Sequence, residues 1–111
     1  MVALPKVLRG EVWLTELDPT VGRELQKTRP CLVVSPNSMN FHLDTFTIMP
    51  LTSGSRPAPF RTTSTFGDRQ GYFLGDQLRT ADRHRLRRKL GTVNEQTLMR
   101  ALATLREMFE E

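Results

Sequence analysis

Pro30-Cys31-Leu32-Val33-Val34-Ser35-Pro36 is the stretch that decides the fold. Cys31 to Val34 is short and wholly apolar, with no polar face to turn to water. Such a run reads as a central strand buried on both sides, opened by Pro30 and stopped by Ser35-Pro36-Asn37-Ser38. A two-sided strand needs neighbours, and the chain supplies them in both directions. Upstream, Val7 to Leu17 alternates, with Val12, Leu14 and Leu17 set against Glu11, Thr15 and Glu16, and reads as a strand ended by Asp18-Pro19-Thr20. Downstream, Thr45 to Leu51 is a third strand, followed by a Thr52-Ser53-Gly54-Ser55 turn. Phe60 to Ser64 and Gly71 to Leu78 fit two more.

Near the end the period changes. Leu98, Leu102, Leu105 and Phe109 recur at helical spacing, with Ala101 and Met108 beside them, which describes the apolar stripe of one amphipathic helix. Asn94 is a suitable N-cap with Glu95 in the first turn; Thr92 with Glu95 three residues on is the competing cap. Five short strands and one terminal helix predict a mainly β domain, a small and strongly bent antiparallel sheet or barrel with the helix packed on it. No repeat or linker divides the 111 residues, so residues 1–111 are expected to form one domain.

The chain carries 16 Lys and Arg against 12 Asp and Glu, a net charge of +4. The surplus is local. Arg79, Arg83, Arg85, Arg87, Arg88 and Lys89, with only Asp82 against them, give the segment from Arg79 to Leu90 a charge of +5 and leave the rest of the chain at −1. A basic stripe on a near-neutral body suits a polyanionic partner; its plainer reading is a solvated arginine-rich turn.

Several classes drop out. No apolar run approaches the ~20 residues that span a bilayer, and the N-terminus lacks the apolar core of a signal peptide, so no membrane association and a cytoplasmic location are expected. The one cysteine, Cys31, cannot form an internal disulfide and reads as a buried structural thiol. His42 and His84 lie far apart with no further ligands at metal-binding spacing, so no metal or other cofactor is expected.

The chemistry is expected in the loop from Asp18 to Arg29. Twelve residues are long for a connection in so small a domain, and this loop holds Arg23, Glu24, Lys27 and Arg29, with Gly22 as a permissive hinge. If the strand that begins at Pro30 pairs antiparallel with the strand that ends at Leu51, Arg29 meets the hydroxyls of Thr52 and Ser53 at one rim of the sheet. A cation, two hydroxyls and a carboxylate can handle a phosphodiester without metal. RNA carries its own nucleophile, the 2′-hydroxyl. Its cleavage needs a base, for which Glu24 is the candidate, and positive charge on the phosphorane, for which Arg29 is the candidate, with Thr52 and Ser53 on the phosphate oxygens. The competing reading is an Arg29–Glu24 surface ion pair beside hydroxyls that only cap a turn.

At these residues the sequence resembles a known family. Arg9-Gly10-Glu11-Val12-Trp13-Leu14, Leu17-Asp18-Pro19-Thr20 with Gly22 and Glu24, Thr28-Arg29-Pro30, Val33-Val34-Ser35-Pro36, Pro50-Leu51-Thr52-Ser53-Gly54 and Asp76-Gln77-Leu78-Arg79-Thr80 are together similar to the MazF/PemK (Kid) family of bacterial toxins. The resemblance covers nearly the whole chain. It implies an SH3-like barrel with a C-terminal helix, a homodimer, and a metal-independent, sequence-specific endoribonuclease that cuts single-stranded RNA to 2′,3′-cyclic phosphate and 5′-hydroxyl ends. Arg29, Glu24 and Thr52 match the family's catalytic positions, and Asp76 and Gln77 match its Asp-Gln pair. Two positions depart from catalytic residues of some members: Leu74 stands where they have arginine, and Arg23 where they have histidine. Ser53, Arg23, Lys27, Asp76, Gln77, Arg79, Arg85 and Arg87 are the expected RNA-binding residues.

The resemblance also implies a cognate antitoxin, expected as an acidic, partly disordered segment in the same groove as the RNA. The basic segment is expected to hold that segment or the RNA backbone rather than to perform chemistry. Phe66 and Phe73 fit no apolar stripe and are open to either a dimer interface or the core. A non-catalytic toxin of the same fold that binds gyrase or RNA is the alternative, although gyrase poisons depend on a C-terminus unlike Met108-Phe109-Glu110-Glu111.

Overall fold

Seven strands and two helices make up the chain in a computed structural model that describes residues 4–25, 27–67 and 70–111. The strands are β1 (Glu11–Glu16), β2 (Thr28–Val33), β3 (Thr45–Thr52), β4 (Arg61–Ser64), β5 (Gly71–Leu74), β6 (Arg79–Asp82) and β7 (Leu86–Thr92). The helices are α1 (Asn37–Asn40) and α2 (Glu95–Phe109). All strand pairs are antiparallel, in the order β4-β5-β3-β2-β1-β7, and β6 also pairs β3. The two ends of the long strand β3 serve different partners, with Thr45–Ile48 against β6 and Leu51–Thr52 against β5. The sheet is strongly bent but not closed. β4 and β7 stand at its two ends, so the mainly β class holds and a fully closed barrel does not.

The Cys31–Val34 run is central, as its composition predicts. Its alternate side chains enter two apolar clusters: Cys31 and Val33 join Trp13, Leu17, Phe46, Ile48 and Leu86 on one face, and Leu32 and Val34 join Val12, Met49, Phe73 and Ala101 on the other. The first cluster lies on the face of the sheet away from α2. The second lies under α2, which contributes Ala101 with Leu102 and Leu105 beside it. Phe73 is fully buried there and belongs to the core, while half-buried Phe66 packs against the same cluster.

α2 starts where Asn94 caps it, its side chain accepting the Thr97 N–H at 2.8 Å, and the Thr92 cap is not formed. Of the predicted stripe Ala101 is buried and Leu98, Leu102 and Leu105 are half-buried, while Met108 and Phe109 are exposed.

Several boundaries differ from those expected: β1 starts at Glu11 rather than Val7, and β3 runs on to Thr52. Ser35 to Ser38 does more than stop a strand, because α1 follows and its buried Asn40 donates to the Ser35 carbonyl at 2.9 Å. Gly71 to Leu78 is not one strand: a 3-10 turn at Gly75–Gln77 ends β5 and starts β6. The basic segment contains no simple turn either. It comprises β6, a 3-10 turn at Arg83–Arg85 and most of β7. β7 is an edge strand whose pairing with β1 shifts register twice, and its burial follows no clean alternation, so its period is hidden in the sequence. Charged side chains on such an edge also discourage pairing with another sheet.

Candidate RNA-handling site

β2 starts at Thr28, two residues earlier than expected, which takes Arg29 out of the loop and fixes it in the sheet opposite Thr15. On its other side β2 pairs β3 with Cys31 opposite Pro50, Leu32 opposite Met49 and Val33 opposite Ile48. Continued by two residues, that register puts Arg29 level with Thr52 and on the same face of the sheet. The expected juxtaposition at the rim therefore follows from the observed pairing. The Thr52 side chain is largely buried, and its Oγ1 accepts the Gly54 N–H at 3.3 Å. What the hydroxyl retains to offer an incoming oxygen is its proton. Ser53, next along, is exposed.

Beside this rim the loop folds over a cleft of about 320 Å³ lined by Leu17, Arg23, Glu24, Pro50, Gln77 and Arg79 among others. Pro50 is common to the cleft and to the Cys31 pair, two residues from both Arg29 and Thr52. Gly22, at φ +60°, lets the loop turn back, and the Glu24 carboxylate then accepts the Val21 N–H at 2.5 Å. The remaining carboxylate oxygen has solvent before it, since Glu24 is exposed.

Gln77 holds this loop. Its Oε1 accepts the Leu25 N–H at 2.8 Å and its Nε2 donates to the Arg23 carbonyl at 3.3 Å. Both backbone groups flank Glu24. Asp76 also borders the cleft, yet its carboxylate is engaged by Arg61 at 3.2 Å. Leu74 is buried in the core.

The basic residues divide into two groups. Arg79 donates to the Leu17 carbonyl at 3.1 Å, and Arg85 donates to the Glu16 and Asp18 carbonyls at 3.1 and 2.5 Å, so both guanidinium groups pin the start of the loop. Arg83 donates to the carbonyls of Pro5 and Leu86 and lies 4.8 Å over the Trp13 ring. Arg87 pairs with Glu16, and Lys89 pairs with the buried Glu11 at 2.8 Å. Arg88 alone of the six has no hydrogen bond or ion pair among the described residues. Much of the +5 charge therefore holds the fold. Arg23 and Lys27 are exposed on the loop.

Burial pushes the Cys31 thiol up to about 12, with Thr15, Arg79 and Arg29 opposing it. This marks Cys31 as an inert structural thiol rather than a nucleophile. Gln77's hold on the loop and the pairing of Arg61 with Asp76 were not legible from local sequence. Each joins residues far apart in the chain, and only the pairing of β3 with β5 and β6 could have pointed to them.

The geometry has counterparts among known proteins. The chain is 33% identical to the endoribonuclease toxin MazF of Escherichia coli K12 over 90 residues, covering 80% of this chain and 81% of that one. A shorter match, 50% identical over 46 residues, links it to the endoribonuclease PemK of Escherichia coli, covering 41% of this chain and 35% of that protein. The crystal structure of MazF from Deinococcus radiodurans superposes with a TM-score of 0.82 at 25% identity, covering 94% of this chain and 96% of that one. A mycobacterial endoribonuclease solved with its cognate antitoxin does so with a TM-score of 0.76 at 25% identity, covering 91% and 92%. The model of the PemK-like, MazF-like toxins of type II toxin-antitoxin systems matches residues 8–109, and the chain belongs to that family.

Proposed function

We propose that this chain is the toxin of a type II toxin-antitoxin system and acts as a metal-independent endoribonuclease on single-stranded RNA. The observation that carries the reading is the β2–β3 register, which, continued by two residues from the Cys31–Pro50 pair, sets Arg29 level with Thr52, while Pro50 and Glu24 line one cleft. Glu24 takes the proton of the 2′-hydroxyl, and that oxygen attacks the adjacent phosphorus. Arg29 neutralises the charge of the phosphorane, and the Thr52 hydroxyl donates to a phosphate oxygen. The P–O5′ bond breaks as the departing 5′-oxygen takes up a proton from water, leaving a 2′,3′-cyclic phosphate and a 5′-hydroxyl, and the proton held by Glu24 returns to solvent. Ser53, Arg23 and Lys27 line the approach of the strand, and Gln77 keeps Glu24 in place. Family membership and the endoribonuclease relatives support the reaction class.

The antitoxin presents an acidic segment to the same surface; a mycobacterial endoribonuclease similar to this chain forms a complex with its cognate antitoxin. Two copies of the chain assemble as a dimer. Among the described residues no helix is long and apolar enough to cross a membrane, and the cytoplasm, where RNA is exposed, is the place of action. Incubation with a long mixed-sequence RNA in excess chelator, followed by mapping of both new ends, tests the reading. Cyclic phosphate and 5′-hydroxyl ends at a short recurring motif support it. RNA binding without new ends contradicts it.

A further inference from the structure

Tyr72 stands opposite Thr52 across β3–β5 and opposite Thr63 across β4–β5. Directly opposed residues of antiparallel strands send their side chains to the same face. Leu51, Phe73 and Thr62, one residue along, point the other way: Leu51 and Phe73 enter the cluster under α2, and the Thr62 hydroxyl bonds Thr104 of that helix at 3.2 Å. The row Thr52, Tyr72, Thr63 therefore faces away from α2, on the side that carries Arg29. Neighbouring strands lie about 5 Å apart, so the Tyr72 ring begins one strand beyond the Thr52 hydroxyl.

A cleft of about 470 Å³ opens at the Tyr72 and Thr63 end of this row, bordered also by Ser53, Ser64, Thr65 and Gln70. That volume is in the range of about 300–1,000 Å³ typical of small-ligand sites. Its lining is an aromatic ring, several hydroxyls and an amide, with no charged side chain among the described residues. Gly71 completes it: a Cβ there would stand 2.6 Å from the Thr52 carbonyl oxygen, so the backbone approaches β3 as only glycine permits. A flat ring rimmed by mixed donors and acceptors suits a nucleobase, which offers a π-face and a hydrogen-bonding edge.

We infer that this cleft is a nucleobase subsite, reading one nucleotide next to the phosphate held at Arg29 and Thr52. The base stacks on Tyr72, and Gln70 with Thr63 bonds its edge. The inference rests on the endoribonuclease reading and adds to it the residues that set the cleavage motif. Tyr72 is the only tyrosine of the chain, and unlike Trp13, Phe46 and Phe73 its ring is not buried in the core.

The test compares wild type with Tyr72→Ala, Tyr72→Phe, Gln70→Ala and Thr63→Val on one mixed-sequence RNA, with sequencing of 5′-hydroxyl ends and measurement of KM and kcat separately. Tyr72→Ala is expected to raise KM roughly 5- to 100-fold, the range of one lost base stack, and Tyr72→Phe to restore it. Gln70→Ala and Thr63→Val are expected to lose base preference at one position of the motif while the others keep theirs. Wild-type motif and wild-type KM in all four variants would overturn the subsite while leaving the endoribonuclease reading standing. Variants that lose antitoxin binding but not base preference would overturn it in favour of a peptide site. No cleavage by wild type would overturn the underlying reading, and this inference with it.

Discussion

Gln77 and Leu25, 52 residues apart in the chain, are joined by a 2.8 Å hydrogen bond from the Leu25 N–H to the Gln77 side-chain oxygen. With the second bond from Gln77 to the Arg23 carbonyl, this brackets Glu24 between two fixed backbone groups. The side chain of β5's following turn thus sets the position of the proposed base. Gln77→Ala removes one or two neutral hydrogen bonds at a half-exposed site, a loss of about 0.5–1.5 kcal/mol each in stability. Its effect on turnover should be larger, about 10- to 100-fold in kcat, because the base loses its placement. Thermal unfolding and single-turnover cleavage measured on the same preparation check this. An unchanged kcat would mean that Gln77 is only a fold contact.

The fold was legible in the sequence where the chain obeys a period. Cys31–Val34 is apolar without interruption because both faces of β2 are covered, and the Leu98–Leu105 stripe has one packed side. β7 was hidden because it is an edge strand whose charged residues serve neighbours rather than a core: Arg87 and Lys89 reach acids on β1. The β2–β3 pairing was legible because the two strands are adjacent in order and antiparallel. The Tyr72 row depends on β3 pairing with a strand distant in sequence, and no local pattern encodes that.

The basic segment should split by role. Arg85→Gln removes two bonds to the Glu16 and Asp18 carbonyls, so it should destabilise the fold by roughly 1–3 kcal/mol, the scale of hydrogen bonds from a charged donor. Arg88→Gln should leave the melting temperature unchanged. If Arg88 touches the RNA backbone, its loss reduces the slope of log affinity against log salt by about one. Melting curves and a salt titration of RNA binding separate the two. Equal melting temperatures for both variants would contradict the division.

The Cys31 thiol gives the fold an alkaline limit. Burial raises it from an ordinary 9.0 to about 12, so the folded state holds its proton more tightly than the unfolded chain does. The associated stability is complete below pH 9 and is lost as pH rises from there through about 12. Wild type should therefore lose melting temperature above pH 9 more steeply than Cys31→Ala. The native thiol should also fail to react with a thiol reagent until the protein unfolds. Rapid labelling of folded protein would contradict the buried position.

Glu11 acts at the opposite end of the pH scale. Burial alone would raise its carboxyl, but the Lys89 ammonium and the N–H groups of Leu8 and Trp13 outweigh this and hold it below its usual value of 4.5. A depressed carboxyl stabilises the fold above the unfolded value and loses that contribution as pH falls through the folded one. Glu11→Gln should be less stable at pH 7 by roughly 1–3 kcal/mol, with half-exposed Lys89 limiting the cost. The difference from wild type should shrink below pH 4.5. Denaturant midpoints between pH 7 and pH 3 decide this, and a gap that widens in acid would reverse the assignment.

The most direct measurement is single-turnover cleavage of a mixed-sequence RNA by wild type and Arg29→Ala, with chelator in excess and both new ends identified. The account predicts cyclic phosphate and 5′-hydroxyl ends with wild type and a rate roughly 10²- to 10³-fold lower with Arg29→Ala, the loss expected for one aimed charge donor. Cleavage by Arg29→Ala at the wild-type rate would contradict it.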